Sequence, residues 1–295
     1  MRRLLIGIVT ISFMMLSGSN RIWAAQMPIS ALPQEAIEAS DGRYLIGSDG
    51  NLYLRDTEQS IFVDGIGSDG YLYDPEGRQK NTLSYIRDKY WPMYEQTALD
   101  EYVPFDSVND AKLFMLWYQF EFPYQVGRSY SYVKKPNDET IYILKKMFED
   151  RKVEMGPDYT HFIQTTAAHI RELPDIKQQL NYAASTVAAW FDYDETYVKY
   201  SMKEAFQDRK AVCYHYSSLL HSLLSASGLQ SECLAGDYSQ TGFHAWNRVY
   251  DPEENCYYYA DATHLSHWPT IQTSPQFTNA YYLSKYRMIT LFHFQ

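Results

Sequence analysis

Residues 212–228 read as one helix, and the three short runs after it leave little freedom in the architecture. Tyr216, Leu219, Leu220, Leu223 and Leu224 recur at helical spacing behind Cys213, so one face of the segment belongs in a core. Gly228 is suited to end the helix in the left-handed conformation. Three β-like runs come next at 231–236, 243–250 and 256–260, parted by turn-like stretches at 237–242 and 251–255. Breaks that short predict an antiparallel meander. The expected class is α+β, with a helix bearing Cys213 packed on an antiparallel sheet.

That arrangement sets Cys213 at a helix start and His244 and Asp261 on or beside neighbouring strands. Each residue type suits thiol acyl transfer. A free thiol has a pKa near 8.5, so only a few per cent is thiolate at neutral pH. The first turn of a helix offers unpaired N–H groups and the positive end of the macrodipole, and both favour the anion. A histidine within reach takes the thiol proton, and a carboxylate on its other nitrogen fixes tautomer and orientation. Thiolate attack on a carbonyl then gives an acyl-enzyme, and the histidine protonates the leaving amine. Trp246 and Asn247, beside His244, are expected to wall and support the site and its substrate rather than to react.

The motifs Ala211-Val212-Cys213, Gly228-Leu229, His244-Ala245-Trp246-Asn247-Arg248-Val249 and Tyr258-Tyr259-Ala260-Asp261-Ala262-Thr263 resemble those of the transglutaminase-like superfamily. The resemblance runs from about 177 to 263 and implies a papain-like core. It also implies Cys213 as nucleophile, His244 as base and Asp261 as its orienter. Ala211 stands where that family often has glycine, and Ala262 where proline or serine often follows the aspartate; neither change removes a reacting group.

Elsewhere the chain divides, on composition, into five expected parts. Residues 1–25 read as a signal peptide, with Arg2-Arg3, an apolar run from Leu4 to Leu16 and small Ala24-Ala25. Residues 26–40 read as a linker and 41–80 as a small β-hairpin module. In that module Ile46-Gly47-Ser48-Asp49-Gly50-Asn51-Leu52-Tyr53 returns 20 residues later as Ile66-Gly67-Ser68-Asp69-Gly70-Tyr71-Leu72-Tyr73. The repeat faintly resembles cell-wall-binding repeats, but it lacks the tryptophan that stacks on sugars, so a structural hairpin module is the preferred reading. Residues 81–159 are expected to be a mainly helical accessory region, with helices over 106–118 and 137–151. Residues 160–295 are expected to form the catalytic core, entered by a helix with Pro174 in its first turn and running to about 191.

Charge and cysteine usage restrict partners. Arg2, Arg3 and Arg21 are the only charged residues in the first 25, so their removal takes the net charge from −10 to −13. An acidic protein is a poor ligand for nucleic acid or an anionic membrane. Three cysteines form no disulfide framework. Cys233 and Cys256 flank the His244 strand from either side, roughly 10 Å apart, beyond the ~7 Å a disulfide spans. His264 and His267 have no acidic or cysteine partner in register, so neither a metal nor a cofactor is expected. The 28 tyrosines and 14 phenylalanines are expected mostly in the core.

The expected protein is secreted or at the cell surface, and acts on peptide or protein carboxamides, with wall-associated substrates a natural class. Hydrolysis is slightly favoured over cross-linking of glutamine to lysine. The competing expectation is an inactive surface-binding or scaffolding protein, suggested by the repeats and the tyrosine content.

Overall fold

The computed structural model describes residues 25–32, 36–38, 42–49, 51–67, 72–122, 132–134, 140–197, 201–238, 242–265 and 286–288. The signal-peptide segment up to residue 24, the Asp69-Gly70 turn, and the side chains of His264 and His267 lie outside them.

The N-terminal strands are β1 (Ala25–Pro28), β2 (Ile37–Glu38), β3 (Tyr44–Ile46), β4 (Leu52–Thr57) and β5 (Ser60–Val63). They form one antiparallel sheet in the order β1-β5-β4-β3-β2. Strands β6 (Gly65–Ile66) and β7 (Leu72–Tyr73) pair separately. Residues 26–40 are thus not a plain linker, because β1 and β2 edge this sheet. The Asp49 turn is built by its carboxylate. It accepts from the Asn51 backbone N–H at 3.0 Å, from Asn51 Nδ2 at 2.9 Å and from the Tyr53 hydroxyl at 2.7 Å, the local side-chain bonding that makes Asp a turn former.

An aromatic core fills the next region. Helix α1 (Thr82–Gln96) is capped by Asn81, whose side chain accepts from the Leu83 N–H, and α2 (Val108–Glu121) by Ser107, which accepts from the Asp110 N–H. Between them lies β8 (Tyr102–Phe105), and after them β9 (Val133–Lys134) and β10 (Ile141–Leu144); the three strands pair in the order β8-β10-β9. Tyr90, Tyr94, Phe105, Phe114, Tyr118 and Phe148 pack together with ring centroids about 5–6 Å apart.

The expected helix over 137–151 is corrected by β10. Ile141 and Ile143 are buried while Tyr142 and Leu144 are half-buried, a strand's alternation. Pairing with β8 therefore overrides a pattern that also fits a helix, and among the described residues of that stretch only α3 (Lys146–Glu149) is helical.

The remaining helices are α4 (Pro157–Glu172) and α5 (Ile176–Trp190). Asp175 caps α5, so Pro174 precedes the cap rather than sitting in the first turn. The expected boundary at 159/160 falls inside α4. After α5 come β11 (Asp192–Tyr193), α6 (Met202–Asp208) and β12 (Lys210–Ala211), with β11 and β12 parallel. Helix α7 (Cys213–Ala226) then leads into β13 (Gln230–Tyr238), β14 (Gly242–Asp251) and β15 (Cys256–Ala260). The short α8 (Ala262–Leu265) and β16 (Tyr286–Met288) complete the described elements.

The sheet is antiparallel in the order β15-β14-β13-β16, so the meander forms in a helix-on-sheet α+β core. Register sorts the side chains between its faces. Cys233, Ala235 and Ala245 join the aromatic core, and Val249, Tyr258 and Ala260 join the core around α4, α5 and α7. Leu234, Trp246 and Tyr259 fill the opposite face. The accessory helices and the sheet therefore share a core. Glu232 reinforces this seam: it takes Arg248 Nε at 2.6 Å and the Ser84 hydroxyl of α1 at 2.9 Å. The Tyr257 N–H donates to the Asp49 carbonyl at 3.2 Å, so the N-terminal turn touches the edge strand β15.

Candidate functional site

Helix α7 carries the first site residue and is buried nearly all round. Every residue from Cys213 to Leu220 lies below 9% exposure, and Leu219, Leu220, Leu223 and Leu224 have none. Those four leucines each contribute on the order of 2 kcal/mol of burial. Polar groups on such a helix need partners, and they tie it down on several sides. The Ser217 hydroxyl donates to the Trp246 carbonyl at 3.1 Å, and Asn247 Nδ2 donates to the Ser217 carbonyl at 3.1 Å. The Tyr216 hydroxyl reaches the Phe191 carbonyl at 2.9 Å and Tyr214 the Gln119 carbonyl at 3.1 Å. At the far end the Gly228 N–H bonds the Ser225 carbonyl and the Leu229 N–H the Leu224 carbonyl, both at 3.0 Å, with Gly228 at φ +91°. This Schellman closure is the reason for the glycine.

Cys213 begins the helix and Val212 is its N-cap. A valine cannot accept from the first-turn amides as Ser, Thr, Asp or Asn would, so no side chain caps them at that position.

His244 lies two residues before Trp246 on β14, and the two rings stack at 5.8 Å and 18°. Asp261 follows β15 directly. His244 Nε2 and Asp261 Oδ2 are 2.6 Å apart, with both side chains almost fully buried. With Nε2 turned to the carboxylate, Nδ1 is left for the thiol, and the Cys213 side chain hydrogen-bonds this ring. Burial opposes charge on His244. The Asp261 carboxylate and its hydrogen bond, aided by Cys213, overcome that and hold the imidazolium up to about 10. The three residues singled out in the sequence therefore stand together, with histidine in the middle.

Trp246 and Asn247 take different places. Trp246 is buried against Leu234 and Tyr259 and backs the His244 ring. Asn247 has no exposed surface and bonds the Ser217 carbonyl, with the Cys233 sulfur 3.5 Å away. Both hold elements in place, and neither faces solvent. Cys233 sits opposite Asn247 and Cys256 opposite Asp251, on the two sides of β14, and neither is in a disulfide. Burial pushes the Cys233 thiol well up, as expected for an inert core sulfur. Among the described residues no cluster of His, Cys, Asp and Glu could hold a metal ion.

Two further residues adjoin the site: Tyr193, which carried no signal in the sequence, and His215, whose place two residues after Cys213 on the helix turns it away from the thiol. Tyr193 on β11 pairs in register with Ala211, two residues before Cys213. Its half-buried hydroxyl is pushed up to about 12, by burial first and then by the nearness of Cys213, Glu195 and Asp261; it is a protonated donor at the site's edge. His215 is buried under the first turn of α7, where burial alone lowers it to about 4.

Residues 164–262 match the family model of the transglutaminase-like superfamily, so the resemblance carried by the sequence motifs is shown for about a third of the chain. Solved structures with local similarity include a candidate cysteine protease from Cytophaga hutchinsonii, at 15% identity and TM-score 0.32, covering 46% of this chain and 47% of that one. Another is a protein named a TGase, at 17% identity and TM-score 0.31, covering 50% and 46%. A third is a candidate protease from Parabacteroides distasonis, at 12% identity and TM-score 0.29, covering 48% and 32%. The chain spans about half or less of the length of these structures. No curated protein matches it.

Proposed function

We propose that the protein is a cysteine-dependent acyl-transfer enzyme acting on peptide or protein carboxamides, with Cys213 as nucleophile, His244 as base and acid, and Asp261 as orienter. The observation that carries this reading is His244 held between the Asp261 carboxylate and the Cys213 side chain. In the first step the Cys213 thiolate attacks the carbonyl carbon and forms the S–C bond. The C–N bond then breaks as the His244 imidazolium gives its proton to the departing amine. In the second step neutral His244 takes a proton from water or an amine, whose attack on the thioester carbonyl expels the thiolate. The developing oxyanion would be met by the Cys213 N–H at the helix N-terminus. The Tyr193 hydroxyl, protonated and near Cys213, is proposed as a second donor. Hydrolysis is the favoured outcome over amine transfer, and export with a peptide or protein substrate remains part of the proposal.

Acylation by p-nitrophenyl acetate tests it. One equivalent of p-nitrophenol should be released as a burst, with the acetyl group found on Cys213 by peptide mass spectrometry and lost in Cys213→Ser. A glutamine peptide supplied with and without a primary amine then separates hydrolysis from transfer. A burst that persists in Cys213→Ser refutes the assignment. No acylation, together with tight binding to purified cell wall, would instead favour an inactive surface-binding protein.

A further inference from the structure

His215 grips residue 212 from both ends. Its N–H donates to the Val212 carbonyl at 2.9 Å, and the Val212 N–H donates to its ring Nδ1 at 3.3 Å. The Val212 carbonyl and the Cys213 N–H belong to one planar peptide unit. The first bond therefore sets the plane in which the Cys213 N–H points, and the second fixes the residue that leads into it. Val212 lies in the extended region at φ −111° and ψ 172° and its side chain has no polar atom, so the histidine ring, by binding the N-cap N–H, supplies a side-chain tie at this helix start.

The ring's other nitrogen strengthens the case. Because Nδ1 accepts, Nε2 carries the proton, and Nε2 is buried with no partner among the described residues. The ring lies between Tyr197, centroid 5.8 Å away, and Tyr214 at 4.9 Å. A buried donor without a partner works against stability, and an apolar side chain would fill the same space without it. What histidine adds at this position is the acceptor Nδ1.

We propose that His215 is a positioning residue that orients the Val212–Cys213 peptide so that the Cys213 N–H faces the oxygen of an acyl group on Cys213. This rests on the acyl-transfer reading.

The test compares His215→Asn, whose Oδ1 falls near the place of Nδ1, with His215→Leu and His215→Ala, which have no side-chain acceptor. Two rates are read for each full-length protein: acylation by p-nitrophenyl acetate, which develops an oxyanion, and alkylation by iodoacetamide, which does not. The Asn variant should acylate within about threefold of wild type, while the Leu and Ala variants fall about tenfold or more. Alkylation of Cys213 should stay within about threefold in all of them. Equal acylation by Asn and Leu variants overturns the role, as does a parallel fall in alkylation, which would place the effect on the thiol or the fold. Having two acceptor-deficient variants keeps the test from depending on the folding of one. Wild-type protein that alkylates but never acylates overturns the acyl-transfer reading and this inference with it. Acylation by wild type with no split among the variants overturns only His215.

Discussion

Asp261→Asn keeps the shape of the side chain and removes its charge, and the structure sets the size of the effect. His244 stands at about 10 against an ordinary 6.5. At roughly 1.4 kcal/mol per pH unit, that is about 5 kcal/mol of preference for the imidazolium, shared between Asp261 and Cys213. A buried histidine without a carboxylate, His215, sits at about 4, which shows where burial alone would take His244. Without the charge, the imidazolium is lost at neutral pH, and Cys213 no longer has a cation beside it. Iodoacetamide labelling of Cys213 at pH 7, followed by peptide mass spectrometry, should therefore slow by about tenfold or more, the equivalent of roughly 1.4 kcal/mol of that preference. The slowing should be largest near neutral pH and shrink as pH is raised. The same interaction has a stability signature of fixed sign. Because the folded-state value is raised, its contribution is complete below about pH 6.5 and is lost as pH rises through about 10. The Tm gap between wild type and Asp261→Asn should be widest near pH 6 and close above pH 10. A variant that labels at the wild-type rate with an unmoved profile, or a Tm gap equal at pH 6 and pH 10.5, refutes the argument.

Two further substitutions probe the frame around the site. Asn247→Leu leaves the Ser217 carbonyl without its 3.1 Å donor at a position of no exposure. It should cost about 1–3 kcal/mol in urea unfolding; an unchanged midpoint would mean the tie contributes nothing. Glu232→Gln strands the buried Arg248 guanidinium, paired at 2.6 Å, and should destabilise by about 3–5 kcal/mol. The double change Glu232→Leu with Arg248→Met should recover most of that loss, and a double variant as weak as the single one would contradict the buried-pair explanation.

The helix from Cys213 to Ala226 was readable because two signals agreed, a leucine stripe at helical spacing and a glycine where a Schellman turn needs positive φ. The meander was readable because its turns are too short for anything but antiparallel return. Residues 141–144 were not, since Ile141, Ile143 and Leu144 satisfy a helix stripe as well as a strand, and the choice is made by pairing with β8, which is far off in sequence. Tyr193 gave no signal for a related reason. A two-residue strand has no period to detect, and its place beside Cys213 comes from parallel pairing across residues 194–209.

The residue before Cys213 carried information that pattern reading passed over. A Ser, Thr, Asp or Asn at an N-cap is worth about 1 kcal/mol, because its side chain binds the amides of the first turn. Val212 gives up that contribution, and the helix recovers some anchoring from the His215 ring, which bonds the Val212 N–H rather than an amide of the first turn. The consequence is asymmetric: the cap residue is fixed, while no cap side chain occupies the place an oxyanion would take. A helix start that breaks the capping preference directly before a cysteine, and has histidine two residues after it, fits the proposed acyl transfer at Cys213. A cysteine kept only for packing would gain nothing from that exchange.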